Sequence, residues 1–345
     1  MKTAASPHRL GSPPRRPDRR WLLPALLLLA FGLAAGEPDQ PQAAPGVVYL
    51  PFVAQGGSLW RPFSASSPWN TPIPANPALD PNSAPFIQQF STPTSKYDPS
   101  FWLNVNRASP TLWMADDATP VYDVNCTLGN CPWFDAVPIP DNAVPDYEKD
   151  AHMAILNKTR TRVWEMGWAK KSAAGTWTAG WGTIYDLTGP GYNQPGYSSA
   201  RGSGLPLIGG LIYLDEIKAG AINHALAISY YEPGPCFVWP ASVNGYTPAN
   251  PNAMPYGARV QLDPALNLDT LGLSPAAKVI ARALQVYGAF IVDRFSSVIS
   301  LPVESFYGKP GPNPWAGILD ENDLIKLPAN RFRVLKLGAQ DCRVD

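Results

Sequence analysis

Between residues 118 and 262, short runs rich in Val, Ile, Trp and Tyr are separated by Gly, Pro and Asn: "HMAIL", "TRVWEMGW", "TWTAGWGTIYDL", "AINHALAISYY", "CFVWPAS" and "GARVQL". Apolar runs this short, bounded by turn residues, predict strands. There is no internal repeat and no alternation of strand with helix, so the spacing predicts a β-sandwich or jelly roll. One helix is signalled downstream: Ser274 can cap it, Pro275 suits its first position and Gly288 ends it. Val279, Ile280, Ala283, Leu284 and Tyr287 then share one face, with Lys278, Arg282 and Gln285 on the other. A strand, "AFIVDRF", follows, and the tail predicts a short helix at "DENDLIKL" and a last strand, "RFRVLKL". From Arg61 to Phe90 prolines recur every few residues, which bars long helices and predicts an extended wrap, anchored by Trp69, Phe86, Phe101, Trp102 and Trp113. The expected class is mainly β: a sandwich or jelly roll with one packed α-helix and a proline-rich N-terminal wrap.

The N-terminus reads as an export signal. The basic segment "MKTAASPHRLGSPPRRPDRR" precedes the apolar run "WLLPALLLLAFGLAAG", which is shorter than a ~20-residue membrane span and closes on Ala34, Ala35 and Gly36. Residues 1–36 are the expected signal peptide, 37–63 a Pro-, Gln- and Ala-rich linker, and 64–345 a single domain. An uncleaved anchor is the rival reading; on the first, the protein is secreted and keeps no membrane span. Cleavage would also change the charge. The whole chain carries 27 basic and 27 acidic residues, and residues 1–36 hold six basic (Lys2, Arg9, Arg15, Arg16, Arg19, Arg20) and one acidic (Asp18), leaving 21 against 26. No Lys/Arg cluster follows the signal, which counts against nucleic acid as a partner. Four cysteines lie beyond it, and an even count in an exported chain predicts disulfides. "CTLGNC" can close on itself as Cys126–Cys131, leaving Cys236 for Cys342, although three pairings are open on sequence alone. No histidine falls at finger-type spacing from these cysteines, so no zinc site is expected.

Candidate chemistry centres on "DAHMAILNKTRTRVWEMGW", Asp150–Trp168. Read as a hairpin turning at "NKTR", it pairs Leu156 with Thr161 and sets His152 directly opposite Glu165, with Cβ atoms about 4.5–5.5 Å apart. Asp150 shares the face of His152. A carboxylate beside an imidazole raises its pKa and fixes its tautomer, so His152 becomes a candidate acid/base. A cross-strand ion pair on a solvated sheet gives the same pattern. Trp164, Met166 and Trp168 are expected on the opposite face, in the core.

The other candidates have weaker local support. His224, in "INHALAISYY", shares a strand face with Leu226, Ile228 and Tyr230, the pattern of a buried core histidine; beside the hairpin it would bring a second imidazole to His152. Arg259 lies on an apolar strand and needs an anionic partner, either a structural acid or a uronate. Asp293 ends an apolar run as a strand-end cap or a site acid. The loop "GPGYNQPGYSSARGSGLPLIGG" reads as a surface loop or a substrate cover, and offers Arg201 and Ser203. It holds no phosphate-loop pattern, and no G-x-S-x-G elbow occurs in the chain.

"SARGSGLPLIGGLIYLDEIKAGAINHAL", "MPYGARVQL" and "ARALQVYGAFIVDR", with the D-x-H of Asp150 and His152 upstream, resemble a broad set of secreted bacterial and fungal proteins. In that set a Ser-Ala…Gly-Leu-Pro loop is joined by Gly-x-Ile-x-His-Ala-Leu, Gly-x-Arg-x-x-Leu and Ala-Leu-x-x-Tyr-Gly-x-x-x-x-Asp. The resemblance covers most of residues 64–337 and implies one domain and the residues above, Tyr287 included, but no reaction type. The chain departs from it after Asp293, where "RFSSVISLP" replaces a polar Asn-Gly continuation.

Two function classes follow. One is a secreted carbohydrate-active enzyme, a glycoside hydrolase or polysaccharide lyase. His152 is then the acid/base, oriented by Asp150 or Glu165, with His224, Arg259, Tyr287, Arg201 and Ser203 around the substrate and Asp293 assisting; a hydrolase would need two carboxylates, for which Glu165 with Asp293 or Asp150 are the candidates. The other is a non-catalytic glycan-binding or adhesion module. A metal-dependent oxygenase is a third reading. The partner in the first two is a polysaccharide or oligosaccharide, and the sequence names no cofactor.

Overall fold

The computed structural model describes residues 59–129, 131, 134–245, 253–295 and 297–342. The expected signal, and all of the expected linker before Leu59, lie outside the described residues. The chain is mainly β, with two sheets setting the architecture. Its principal strands are β1 (Phe101–Leu103), β2 (Thr111–Ala115), β3 (Met153–Asn157), β4 (Arg162–Gly167), β5 (Trp181–Asp186), β6 (Leu226–Tyr230), β7 (Arg259–Leu262), β8 (Ala289–Arg294), β9 (Ile299–Leu301) and β10 (Phe332–Val334). The larger sheet has the order β1-β9-β6-β8-β7-β10, the smaller β5-β4-β3-β2. Both are mixed: β1 runs parallel to β9, β6 to β8, and β2 to β3. The absence of strand–helix alternation therefore did not mean an all-antiparallel fold. The parallel pairs are joined by long excursions instead.

The six-stranded sheet is buried on both faces, which explains why "ALAIS" and "AFIV" read as continuous apolar runs. On one face Leu226, Ile228, Val260, Ala289 and Ile291 pack against two helices, α1 (Ser83–Ser91) and α3 (Pro275–Val286). On the other, Ala227, Phe290 and Val292 meet Leu112, Ala154, Leu156, Val163 and Tyr185 of the smaller sheet. A third cluster, including Trp113, Met153, Ile155 and Met166, covers the far face of that smaller sheet.

Helix α3 forms as the sequence predicts: Ser274 Oγ accepts the Ala277 amide at 3.1 Å and Pro275 takes the first position. Gln285 is not on a solvated face, however. It is buried and its amide donates to the carbonyls of Asp263 and Leu266, both at 2.9 Å. Helix α1 arises inside the proline-rich wrap because Pro85 falls in its first turn, where no intrahelical amide partner is required. A six-residue helix, α2 (Leu214–Ala219), also escaped the sequence pattern and ends on Gly220 at φ 76°. The expected tail helix is a series of turns, in which the amides of Asp323, Ile325 and Leu327 donate to the carbonyls three residues back, of Asp320, Asn322 and Leu324. Both expected disulfides, Cys126–Cys131 and Cys236–Cys342, are present. Among the described residues no helix is long and apolar enough to cross a membrane.

Candidate functional site

The hairpin β3–β4 has a different register from the expected one. Leu156 pairs with Val163 and Ala154 with Glu165, so the ladder is displaced by two residues. The cause is Asn157, whose Oδ1 accepts the amides of Thr161 and Arg162 and so extends the turn. A displacement of two preserves which face each side chain takes. His152 and Glu165 still share a face but are not opposed: His152 falls in the row of Gly167, where a Cβ would sit 3.4 Å from His152 Cδ2.

His152 is half-buried just before β3. Its Nε2 lies 3.0 Å from the Ala200 carbonyl, which can only accept, so Nε2 carries the proton in the neutral ring. Nδ1 has no hydrogen-bond partner among the described residues. Burial pulls the imidazole pKa below 6.5, against the raising influence of Asp293 and Asp150. Asp293, at the end of β8, accepts the Gly202 amide at Oδ2 (3.2 Å) and the Arg294 amide at Oδ1 (2.8 Å). Burial pushes this carboxyl up, while those amides, His152 and Arg201 hold it down. The segment Ala200–Gly202 thus bridges the pair, accepting a hydrogen bond from His152 and donating one to Asp293. Asp150 is exposed and accepts from Trp168 Nε1 at 3.3 Å. A neutral imidazole with one nitrogen locked and the other open, its charge state answering to a nearby carboxylate, is the geometry of a general base.

Glu165 does other work. It is fully buried, and its two oxygens accept the amides of Leu207 (2.7 Å) and Ile208 (3.1 Å). Burial pushes it up to about 7 against those amides and the Arg201 guanidinium. Arg201, 6% exposed, points into the same loop, with Nη1 donating to the carbonyls of Pro206 and Gly209 and Nη2 to that of Leu207. Ser203 is also buried; its amide donates to Val292 and its hydroxyl accepts from Leu205. The expected cover is therefore two things. Gln194–Tyr197 is exposed, while residues 203–213 are a buried plug satisfied from within by Glu165 and Arg201.

His224 is 3% exposed and does not join His152; the two rings share no partner. Its Nδ1 faces the Ala225 carbonyl at 2.9 Å and its Nε2 faces Glu216 at 3.1 Å. Both neighbours accept, so both nitrogens donate and the ring is an imidazolium. Burial opposes that charge, and Glu216 overcomes it to raise the pKa. Arg259 has carbonyls where an anion was expected: Nε and Nη2 donate to the Tyr287 carbonyl at the end of α3, and Nη2 also to Thr71. Burial lowers its pKa to about 10. Tyr287 serves through its backbone, and its half-buried side chain packs at the edge of the inter-sheet core.

A depression of about 380 Å³ lies at the turn end of the hairpin, lined by Asn157, Thr161, Arg162, Trp164 and Asp186. It shares no residue with the His152 site, and the chemistry of the latter is the firmer guide to function. Among the described residues no three His, Cys, Asp or Glu side chains are grouped to hold a metal ion. Sequence reasoning missed the Ala200 carbonyl and the Gly202 amide, since backbone groups leave no residue-type signature. It also placed Trp168 in the core, whereas that residue is 41% exposed and its ring packs edge-on to Trp181, with ring centroids 5.3 Å apart. Each follows a glycine, "GW" at 167–168 and 180–181, and that repeated dipeptide was the available signal. No protein-family profile, curated protein or solved structure matches the chain.

Proposed function

We propose that this is a secreted carbohydrate-active enzyme, acting as a glycoside hydrolase, with His152 as its acid/base. The observation that carries the reading is the His152 ring itself: Nε2 held by Ala200, Nδ1 open, and Asp293 near enough to influence its charge. Nδ1 takes a proton from the water that attacks the anomeric carbon on the face opposite the leaving group; the departing glycosidic oxygen is protonated from solvent on its own face, and the imidazolium formed returns its proton to solvent. Asp293 favours that imidazolium, and Asp150 stands at the exposed margin. Elimination from a uronate is the poorer fit, because Arg201 and Arg259 both spend their guanidinium groups on backbone carbonyls. Secretion accords with the two disulfides, which persist in oxidising compartments. A sandwich description of the domain rests on the inter-sheet core shared by the two sheets.

The second reading, a non-catalytic glycan-binding module, is favoured by the exposed Trp168 ring. His152→Ala separates the two. The enzyme reading expects loss of reducing-end release by at least 100-fold with binding retained, consistent with the scale of acid/base catalysis. If the wild-type protein cleaves nothing in a broad polysaccharide panel but binds a member of it, the module reading stands.

A further inference from the structure

Trp168 stands against two ordinary preferences at once. Its backbone is left-handed, φ 54°, and the residue is 41% exposed. A non-glycine residue held this way is strained, and such strain persists only where the surroundings impose it. Here they do. The Trp168 amide donates to the Asp150 carbonyl at 2.6 Å, the next amide, Ala169, donates to Ala151, and Ala151 is itself left-handed at φ 43°. The indole Nε1 then donates to Asp150 Oδ1.

The partner ring is seated with equal care. Trp181 pairs with Gly167, and His152 lies on that glycine's other side, so His152, Gly167 and Trp181 form one row across three strands. Two more glycines make room for the rings. A Cβ on Gly129 would come within 2.6 Å of the Trp181 ring, and one on Gly180 within 3.3 Å of Trp168. Leu128, 55% exposed, continues the apolar surface. Trp168 stays 41% exposed despite these contacts.

We infer that Trp168 and Trp181 form a stacking subsite for a neutral pyranose chain, which they hold across Gly167 toward His152. Flat indole faces match the C–H faces of a pyranose, and the few polar groups beside them, Asp150 and the open His152 Nδ1, suit its hydroxyls. The charge of the chain follows from the neighbours. Asp150 and Asp293 are acidic, and Arg201 is turned inward onto carbonyls; the exposed cations nearest in the chain are Lys149, beside Asp150, and Lys170, two residues after Trp168. The two carboxylates at the His152 end disfavour a uronate there.

This inference deepens the hydrolase reading but is tested separately from it. Trp168→Gly removes the ring and suits the left-handed backbone, so folding is not at risk. In affinity electrophoresis against soluble xyloglucan, mixed-linkage β-glucan and galactomannan, with polygalacturonate as the charged control, wild type should bind at least one neutral polymer. Trp168→Gly should lose that binding at least tenfold while its Tm stays level or rises. Unchanged binding by Trp168→Gly, preference for polygalacturonate, or no binding by wild type overturns the subsite. Binding lost in Trp168→Gly with no polymer ever cleaved by wild type upholds the subsite and overturns the hydrolase.

Discussion

At the scale of single residues, two histidines of similar sequence setting have opposite electrostatics. Both precede a strand, and both are followed by an apolar run. His152 offers one nitrogen to a carbonyl and leaves the other open; His224 has acceptors at both. The charge state follows from that count more than from burial, which disfavours charge at each. For His152 the consequence is a pH limb. A general base works only when unprotonated, so kcat/KM should fall as pH drops through a pKa below 6.5. Asp293→Asn removes the charge that raises this pKa, so the acid limb should move to still lower pH. A limb that stays in place, or moves up, would mean that Asp293 does not act on His152. Asp150 and His152 were legible as neighbours in a D-x-H run, but the shared strand face was not realised: both precede β3, and Ala151 between them is left-handed at φ 43°. Asp293 was legible only as a charge after an apolar run, and its contact with Gly202 depends on a loop nearly a hundred residues away in sequence.

At the scale of elements, the informative unit is the plug of residues 203–213. Irregular backbone is seldom buried, because its amides and carbonyls need partners. Here Glu165 supplies acceptors and Arg201 supplies donors, so a side chain on β4 and one on the loop stabilise the same turn. This was not legible in the sequence: Gly- and Pro-rich segments usually read as surface, and only the two buried side chains reverse that. The hairpin register failed for a related reason, since Asn157 replaced ladder bonds with side-chain ones. Glu165 makes a testable contribution to stability. Its folded pKa, about 7, lies above its ordinary 4.5. The stability it contributes is therefore present below pH 4.5 and lost as pH rises through 7, on the order of 3 kcal/mol in all. Urea denaturation of Glu165→Gln should show that the variant gains on wild type by about that amount between pH 4.5 and 8. A constant difference between the two proteins would refute the raised pKa.

At the scale of the whole molecule, the mainly β class, the strands in the middle of the chain, α3 and the pairing of the cysteines could all be read from local pattern. The mixed topology could not, because strand direction depends on which distant runs pair, and β6 with β8 or β2 with β3 leave no mark in either run alone. The same limit applied to the site. His152, Asp293 and the Ala200–Gly202 bridge come from three separate stretches, and the fold alone brings them together. It also keeps His224 apart in its own ion pair. The most direct test of this account is therefore the protonation of the two rings, read by ¹⁵N–¹H NMR of histidine-labelled protein and assigned with His152→Gln and His224→Gln. At pH 7 the account predicts a neutral, Nε2-protonated His152 that titrates below pH 6.5 and a doubly protonated His224. A charged His152 at pH 7, or a proton on Nδ1, would contradict it.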